Sequence, residues 1–183
     1  MTYVGNEELM RRHNATLAQF EKNIASNNWQ THNNHHFDWW AFPFDPGRPT
    51  ASQGDRYNVP AADIELLKNN PEFMNSLAHM ATIQMWSYGW NMETRNVLDV
   101  SAAELQQRQA ACTGHSVRLW KVGSSLITFG LLEEFSSVLK FVQHLGAEDR
   151  DGKVSKSLLS MTAKWLGLFV KHAKKPSRAE RTH

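Results

Sequence analysis

The stretch that most restricts how this chain folds runs from His35 to Asp45 and reads HHFDWWAFPFD. Five of its eleven residues are aromatic, and prolines at positions 43, 46 and 49 prevent regular structure just after them. Leaving such rings in water forfeits about 1.5–3 kcal/mol of burial free energy each. We therefore predict that the rings either fill a core or line a site, and that the rest of the chain supplies the opposite wall.

The remainder of the chain has the pattern of an all-α protein. Apolar residues recur at intervals of three and four, and no run alternates as a β-strand does. We predict a single helical bundle of about six to seven helices with one long Pro/Gly-rich loop that continues to Val59. The predicted helices are 7–26, 61–68, 71–92, 101–112, 116–130, 131–145 and one from about 154. The segment 29–38 fits either a short helix or a connection.

Three of these helices carry recognisable start signals. Asn6 and Asn70 are predicted to cap the first and third helices, and Ser101-Ala102-Ala103-Glu104 has the form of a capping box. Gly130 and Gly146 are predicted to end two later helices. We expect residues 1–175 to form one domain and residues 176–183 to be a flexible basic tail.

Composition limits the classes of function. A chain of 183 residues is long enough to bury one substantial core, and no run of eighteen apolar residues could span a membrane. The single cysteine, Cys112, and the absence of a signal-like N-terminus fit a cytoplasmic, soluble protein with no membrane association. A net charge of only +2 does not call for nucleic acid as a partner. The sequence leaves the oligomeric state open.

Several short elements follow one another in a characteristic order. They comprise His35, Phe37, Trp40, Phe42 and Pro43, then Tyr88-Gly89, then Arg118, Lys121, Ser125, Leu126 and Gly130-Leu131. In this order the chain resembles the conserved region of the opioid growth factor receptor family, over roughly residues 35 to 145. Family members usually have Gln-Trp where this chain has Trp39-Trp40, and Arg where Lys121 stands.

The resemblance implies an all-α fold and a ligand-binding role. The vertebrate member binds an opioid pentapeptide and is associated with the nucleus and with growth inhibition, whereas short stand-alone members occur in microbes. For this chain we therefore expect a small molecule or a short peptide as the ligand.

The residues themselves offer a candidate ligand site of aromatic and basic side chains. Arg118 and Lys121 lie three apart and so share a helix face, and His115 precedes that helix, where free backbone amides attract anions. Rings could bind flat or cationic groups by stacking; the candidates are Trp39, Trp40, Phe42, Trp86, Trp90 and Trp120. Two plainer interpretations stay open: the rings fill the core, and Arg118 pairs with Asp38, Asp45 or Glu134 to tie the loop to the bundle.

Two further hypotheses assign the chain to other classes of function. A cofactor-independent cyclase or isomerase would use His35, Asp38 or Asp45 as general acid or base inside an aromatic cage. A purely structural or interaction module would have no site of ligand size. His32 and His36 have the helical spacing of metal ligands, but no metalloprotease or di-iron motif accompanies them, so we predict no metal and no cofactor.

Overall fold

The computed structural model describes residues 2–32, 37–47, 53–114, 116–149 and 155–173. The prediction of a mostly α-helical chain is confirmed. The helices are α1 Asn6–Ala25, α2 Trp29–His32, α3 Asp38–Ala41, α4 Ala61–Lys68, α5 Pro71–Ser87, α6 Ala102–Gly114, α7 Ser116–Phe129, α8 Leu132–Glu148 and α9 Ser155–Ala173. Within those described ranges, none of the helices is both long and apolar enough to cross a lipid bilayer.

The helix starts follow the predicted signals in part. The Asn70 side chain accepts a hydrogen bond from the Phe73 backbone N–H at 3.1 Å, as predicted for the cap of α5. Ser101 accepts the Glu104 N–H at 3.2 Å, but the Glu104 carboxylate binds Arg108 instead of closing the box. The prediction that Asn6 caps α1 is wrong, because the helix begins at Asn6 itself, after Gly5.

The end of α5 corrects a second prediction. The helix stops at Ser87 and not near Met92, because Gly89 takes a φ of +80° and turns the chain. Two short strands follow, β1 Trp90–Asn91 and β2 Asn96–Val97, which pair antiparallel with Trp90 opposite Val97 and Asn91 opposite Asn96. The prediction of no strands is therefore wrong at this hairpin.

The hairpin is anchored to α8 through Ser137. The Trp90 indole N–H donates to the Ser137 hydroxyl at 3.0 Å, and that hydroxyl donates to the Met92 carbonyl at 2.9 Å. The helix α8 itself continues through Gly146 to Glu148, so the prediction that Gly146 ends it is also wrong. Gly146 does not take the left-handed conformation that ends a helix, and the low helix propensity of one glycine costs only about 1 kcal/mol.

The helix α7 lies at the centre of the molecule. It packs against α3, α4, α5, α6, α8 and α9. The side chains of Leu119, Val122 and Leu126 enter the core, and Gly123 leaves room for the Trp165 ring of α9. The Trp165 indole N–H donates to the Trp120 carbonyl at 3.0 Å, which fixes the ring over that glycine.

Gly123→Ala is expected to lower the free energy of unfolding by about 1–3 kcal/mol, the usual cost of overpacking a tight core. A methyl group at this position would overlap the six-membered part of the Trp165 ring. Chemical denaturation measures the effect, with Gly167→Ala as the matched control, since no heavy atom lies within 4 Å of a Cβ added there. Equal stability of the two variants would show that α9 does not dock on α7 through Trp165.

Candidate functional site

The candidate site is centred on a buried ion pair between α3 and α7. The Lys121 ammonium nitrogen lies 2.6 Å from Asp38 Oδ2, and the Lys121 side chain is only 1% exposed. Arg118 Nε lies 3.9 Å from the other carboxylate oxygen, Oδ1, which is too long for a hydrogen bond but close enough for Coulombic attraction. The structure therefore brings together Asp38, Arg118 and Lys121 of the predicted site residues. The contact of Arg118 with Asp38 is one of the pairings that the sequence left open, but Lys121 makes the closer contact.

Two aromatic rings of the Phe37–Trp40 segment face these cations. Lys121 Nζ lies 2.8 Å from the centre of the Trp39 ring, and Arg118 Cζ lies 4.5 Å from the centre of the Phe37 ring. Both contacts are of the cation–π kind, which gains strength when the cation is desolvated. Trp39 is partly exposed, so its ring separates the buried ammonium from solvent.

The charge state of Lys121 reflects two opposing effects. Burial lowers the pKa of the ammonium group from its ordinary 10.5 to about 8, because water no longer solvates the charged form. The Asp38 carboxylate acts in the opposite direction and keeps the pKa from falling further. Lys121 is thus a cation at neutral pH that gives up its proton more readily than an exposed lysine.

The same face of α7 carries a stripe of hydroxyl groups. The Ser125 hydroxyl donates to the Pro43 carbonyl at 2.8 Å and so fixes the end of the aromatic segment to α7. Ser124 and Thr128 are fully buried, and their hydroxyl oxygens have no hydrogen-bond partner among the described residues. These hydroxyls were not among the predicted site residues, although their spacing of three, four and seven from Lys121 places them on its face.

The other predicted rings lie elsewhere. The Trp40 indole N–H donates to the Thr16 hydroxyl of α1 at 2.8 Å, on the side of α3 that faces α1. Phe42 is buried in the core, and Trp120 packs edge-on against Phe44 at 5.0 Å between ring centres. Trp40 and Trp120 therefore contact partners other than the Lys121 ammonium.

Trp86 and Trp90 belong to a different part of the molecule. The Arg108 guanidinium lies over the Trp86 ring at 4.3 Å, and Trp90 packs against Phe141 at 5.4 Å between ring centres. Their contacts come from α6 and α8, so the structure does not gather all the predicted rings into one cage.

The remaining predicted residues divide between a loop and positions outside the described residues. Asp45 accepts the Gly47 backbone N–H at 2.8 Å in the loop after α3. His35 and His115 lie outside the described residues, as do His36 and the side chain of His32. Across the ranges that the structure describes, no three His, Cys, Asp or Glu side chains come together as a metal-binding group.

Comparison with known proteins finds no match for this chain. No family model, curated protein or solved structure matches the chain.

Proposed function

We propose that this chain is a helical domain that binds a small molecule or a short peptide carrying a carboxylate. The ligand site is the cluster of Trp39, Arg118 and Lys121. The observation that carries the proposal is that two buried cations, Lys121 and Arg118, lie 2.6 and 3.9 Å from the oxygens of the Asp38 carboxylate. A second anionic group at this position gains Coulombic attraction that an exposed site would lose to solvent.

Each residue of the cluster has a defined task in this proposal. Arg118 presents a planar guanidinium that matches a carboxylate through two parallel hydrogen bonds. Lys121 supplies a second positive charge, and the partly exposed Trp39 ring offers a flat surface for the apolar part of the ligand. A peptide ligand is also what the vertebrate member binds in the family that residues 35–145 resemble.

A pair of adjacent tryptophans provides the test. Trp39→Leu is expected to lower affinity at least about tenfold, because it removes the ring over Lys121. Trp40→Leu is the matched control, since that ring hydrogen-bonds to Thr16 of α1 instead. Native mass spectrometry of protein purified from its own host finds any ligand that co-purifies, and thermal-shift assays with small carboxylates and short peptides extend the search.

Two results would contradict the proposal. One is a folded protein that binds none of these probes and carries no metabolite from its host. The other is a ligand whose affinity depends equally on Trp39 and Trp40, which would place the site away from the Lys121 cluster.

The Asp38–Lys121 pair supports a second candidate, a cofactor-independent enzyme such as a cyclase or isomerase. An ammonium group with a pKa of about 8, hydrogen-bonded to a carboxylate at 2.6 Å, is suited to moving a proton near neutral pH. In this candidate Asp38 keeps the acid–base role predicted from the sequence, and Lys121 becomes its partner. Product formation from a bound ligand, abolished in Lys121→Met, would favour the enzyme over the simple binder.

A further inference from the structure

Lys121 places a primary amine in desolvated surroundings. Its Nζ lies 2.6 Å from Asp38 Oδ2 and 2.8 Å from the centre of the Trp39 ring, and its side chain is 1% exposed. Burial, aided by the positive charge of Arg118, lowers the pKa of the ammonium group to about 8 against the opposing effect of Asp38. A lysine that is desolvated beside a second cation is a nucleophile toward carbonyl carbon. The surroundings of Lys121 are therefore those of an imine-forming lysine.

Arg118 restricts which carbonyl compounds fit beside this amine. Arg118 Nε and Lys121 Nζ lie 3.9 and 2.6 Å from the two oxygens of one carboxylate, that of Asp38. Two groups of a ligand that bind these cations must therefore also be close neighbours. In a 2-oxo acid the carbonyl carbon is bonded directly to the carboxylate carbon, so Arg118 binds the carboxylate while Lys121 faces the carbonyl group. An aldehyde or ketone without a carboxylate would engage Lys121 alone.

Trp39 lies between the amine and solvent. Its ring is half-buried, and the Lys121 ammonium contacts one of its faces. Side chains at partly exposed positions change rotamer readily, so a rotation of Trp39 exposes the amine without any movement of α7. The apolar part of a bound 2-oxo acid then packs against the ring.

We propose that Lys121 forms an imine with the carbonyl group of a 2-oxo acid, an inference that rests on the carboxylate site proposed above. The Asp38 carboxylate takes one proton from the ammonium group at 2.6 Å, and the free amine attacks the carbonyl carbon to form a C–N bond. The π electrons of the carbonyl bond move to the oxygen, which receives that proton from Asp38.

The same carboxylate completes the loss of water. Asp38 takes a second proton from the nitrogen and delivers it to the oxygen, the C–O bond breaks, and the nitrogen lone pair forms the C=N bond as water leaves. The product is a protonated imine, so the positive charge beside Asp38 is the same before and after the reaction. The step consumes no oxidant or reductant.

Reductive trapping of the full chain with sodium cyanoborohydride tests the proposal. The probes are pyruvate, phenylpyruvate and 2-oxoglutarate, and hydride addition to the imine carbon converts a bound probe into a stable secondary amine. Peptide mass spectrometry is expected to find at least about tenfold more adduct on Lys121 than on Lys164, which is exposed on α9. Lactate, phenyllactate and 2-hydroxyglutarate are expected to bind without an adduct, because they lack the carbonyl group.

Two lysine variants are matched controls for the position of the adduct. Lys121→Arg keeps a positive charge beside Asp38 but cannot form an imine, so it is expected to abolish the adduct. Lys164→Arg is expected to retain it. Circular dichroism verifies that both variants fold, and the position of the adduct in the parent protein decides the question even if Lys121→Arg does not.

Thermal-shift assays with the same acids separate the failure of this inference from the failure of the proposed function. Acids that raise the melting temperature but leave Lys121 unmodified would overturn the imine and leave the carboxylate site intact. Adducts spread evenly over Lys121 and Lys164 would also overturn the imine, since they would reflect reaction at any lysine. If the acids neither bind nor react, the imine is wrong and small carboxylates are excluded as ligands of the site.

Discussion

Asp38→Asn is expected to lower the free energy of unfolding by about 3–5 kcal/mol, the cost of removing one partner from a buried ion pair. The substitution leaves the Lys121 ammonium without the carboxylate that lies 2.6 Å away, in a position that is 1% exposed. Neutral asparagine keeps the shape of the side chain, so the loss reports charge and not packing. Urea denaturation of the variant and the parent protein at pH 7 measures the difference.

Two controls separate the pair from general effects. In the double variant Asp38→Leu with Lys121→Met neither charge is left, and most of the stability is expected to return, because apolar pairs often replace buried ion pairs without loss. Glu8→Gln breaks an exposed pair with Arg11 and Arg12 on α1 and is expected to be close to neutral. If Asp38→Asn is as mild as Glu8→Gln, the Asp38–Lys121 pair does not hold α3 to α7.

The free energy of unfolding is expected to decrease in mild acid because His13 is buried. Its ring is fully buried, with Nδ1–H donating to the Trp40 carbonyl at 3.2 Å and the Phe73 ring 5.1 Å away between centres. Burial lowers the pKa of His13 from 6.5 to about 4, because the imidazolium form cannot be solvated there.

The sign of the pH effect follows from this depressed pKa. Between pH 6.5 and pH 4 His13 binds a proton in the unfolded chain but not in the folded chain. The free energy of unfolding therefore decreases as the pH falls through this window. The loss from this group amounts to roughly 3 kcal/mol at pH 4. Denaturation midpoints between pH 7 and pH 4 measure the slope.

Two histidine variants isolate the contribution of His13. His13→Leu is expected to remove most of this pH dependence, whatever its effect on stability at pH 7. His79→Gln is expected to retain it, because His79 lies on the surface near Glu21. A slope that is unchanged in His13→Leu would contradict the assignment.

Periodicity and capping residues predicted most of the helices, and the errors have a local cause. Tyr88 and Met92 continue the apolar spacing of α5, with Trp90 on a flanking face, so the pattern predicted five more residues of helix. The structure buries the same side chains from a hairpin instead, because Gly89 adopts a left-handed conformation and Asn91 accepts two backbone N–H groups in the turn. Burial alone does not distinguish the two backbones; the glycine is the decisive residue.

Helical spacing predicted only the part of the candidate site that lies on one helix. The three-residue interval placed Arg118 and Lys121 on one face, and that pair does meet a carboxylate of the aromatic segment. The choice of Asp38 over Asp45 depends on a contact between residues 83 positions apart, which no local pattern encodes. For the same reason the sequence could not show that neighbouring Trp39 and Trp40 lie against different helices.

That separation has a consequence for how the chain is made. The ribosome produces the aromatic segment 83 residues before the lysine that secures it. At a translation rate of about 5–20 residues per second, Lys121 is synthesised roughly 4–17 s after the aromatic segment. During this interval the nascent chain presents the kind of apolar segment that chaperones bind. We therefore expect the yield of folded protein to depend more on chaperone supply than on the stability of the finished fold.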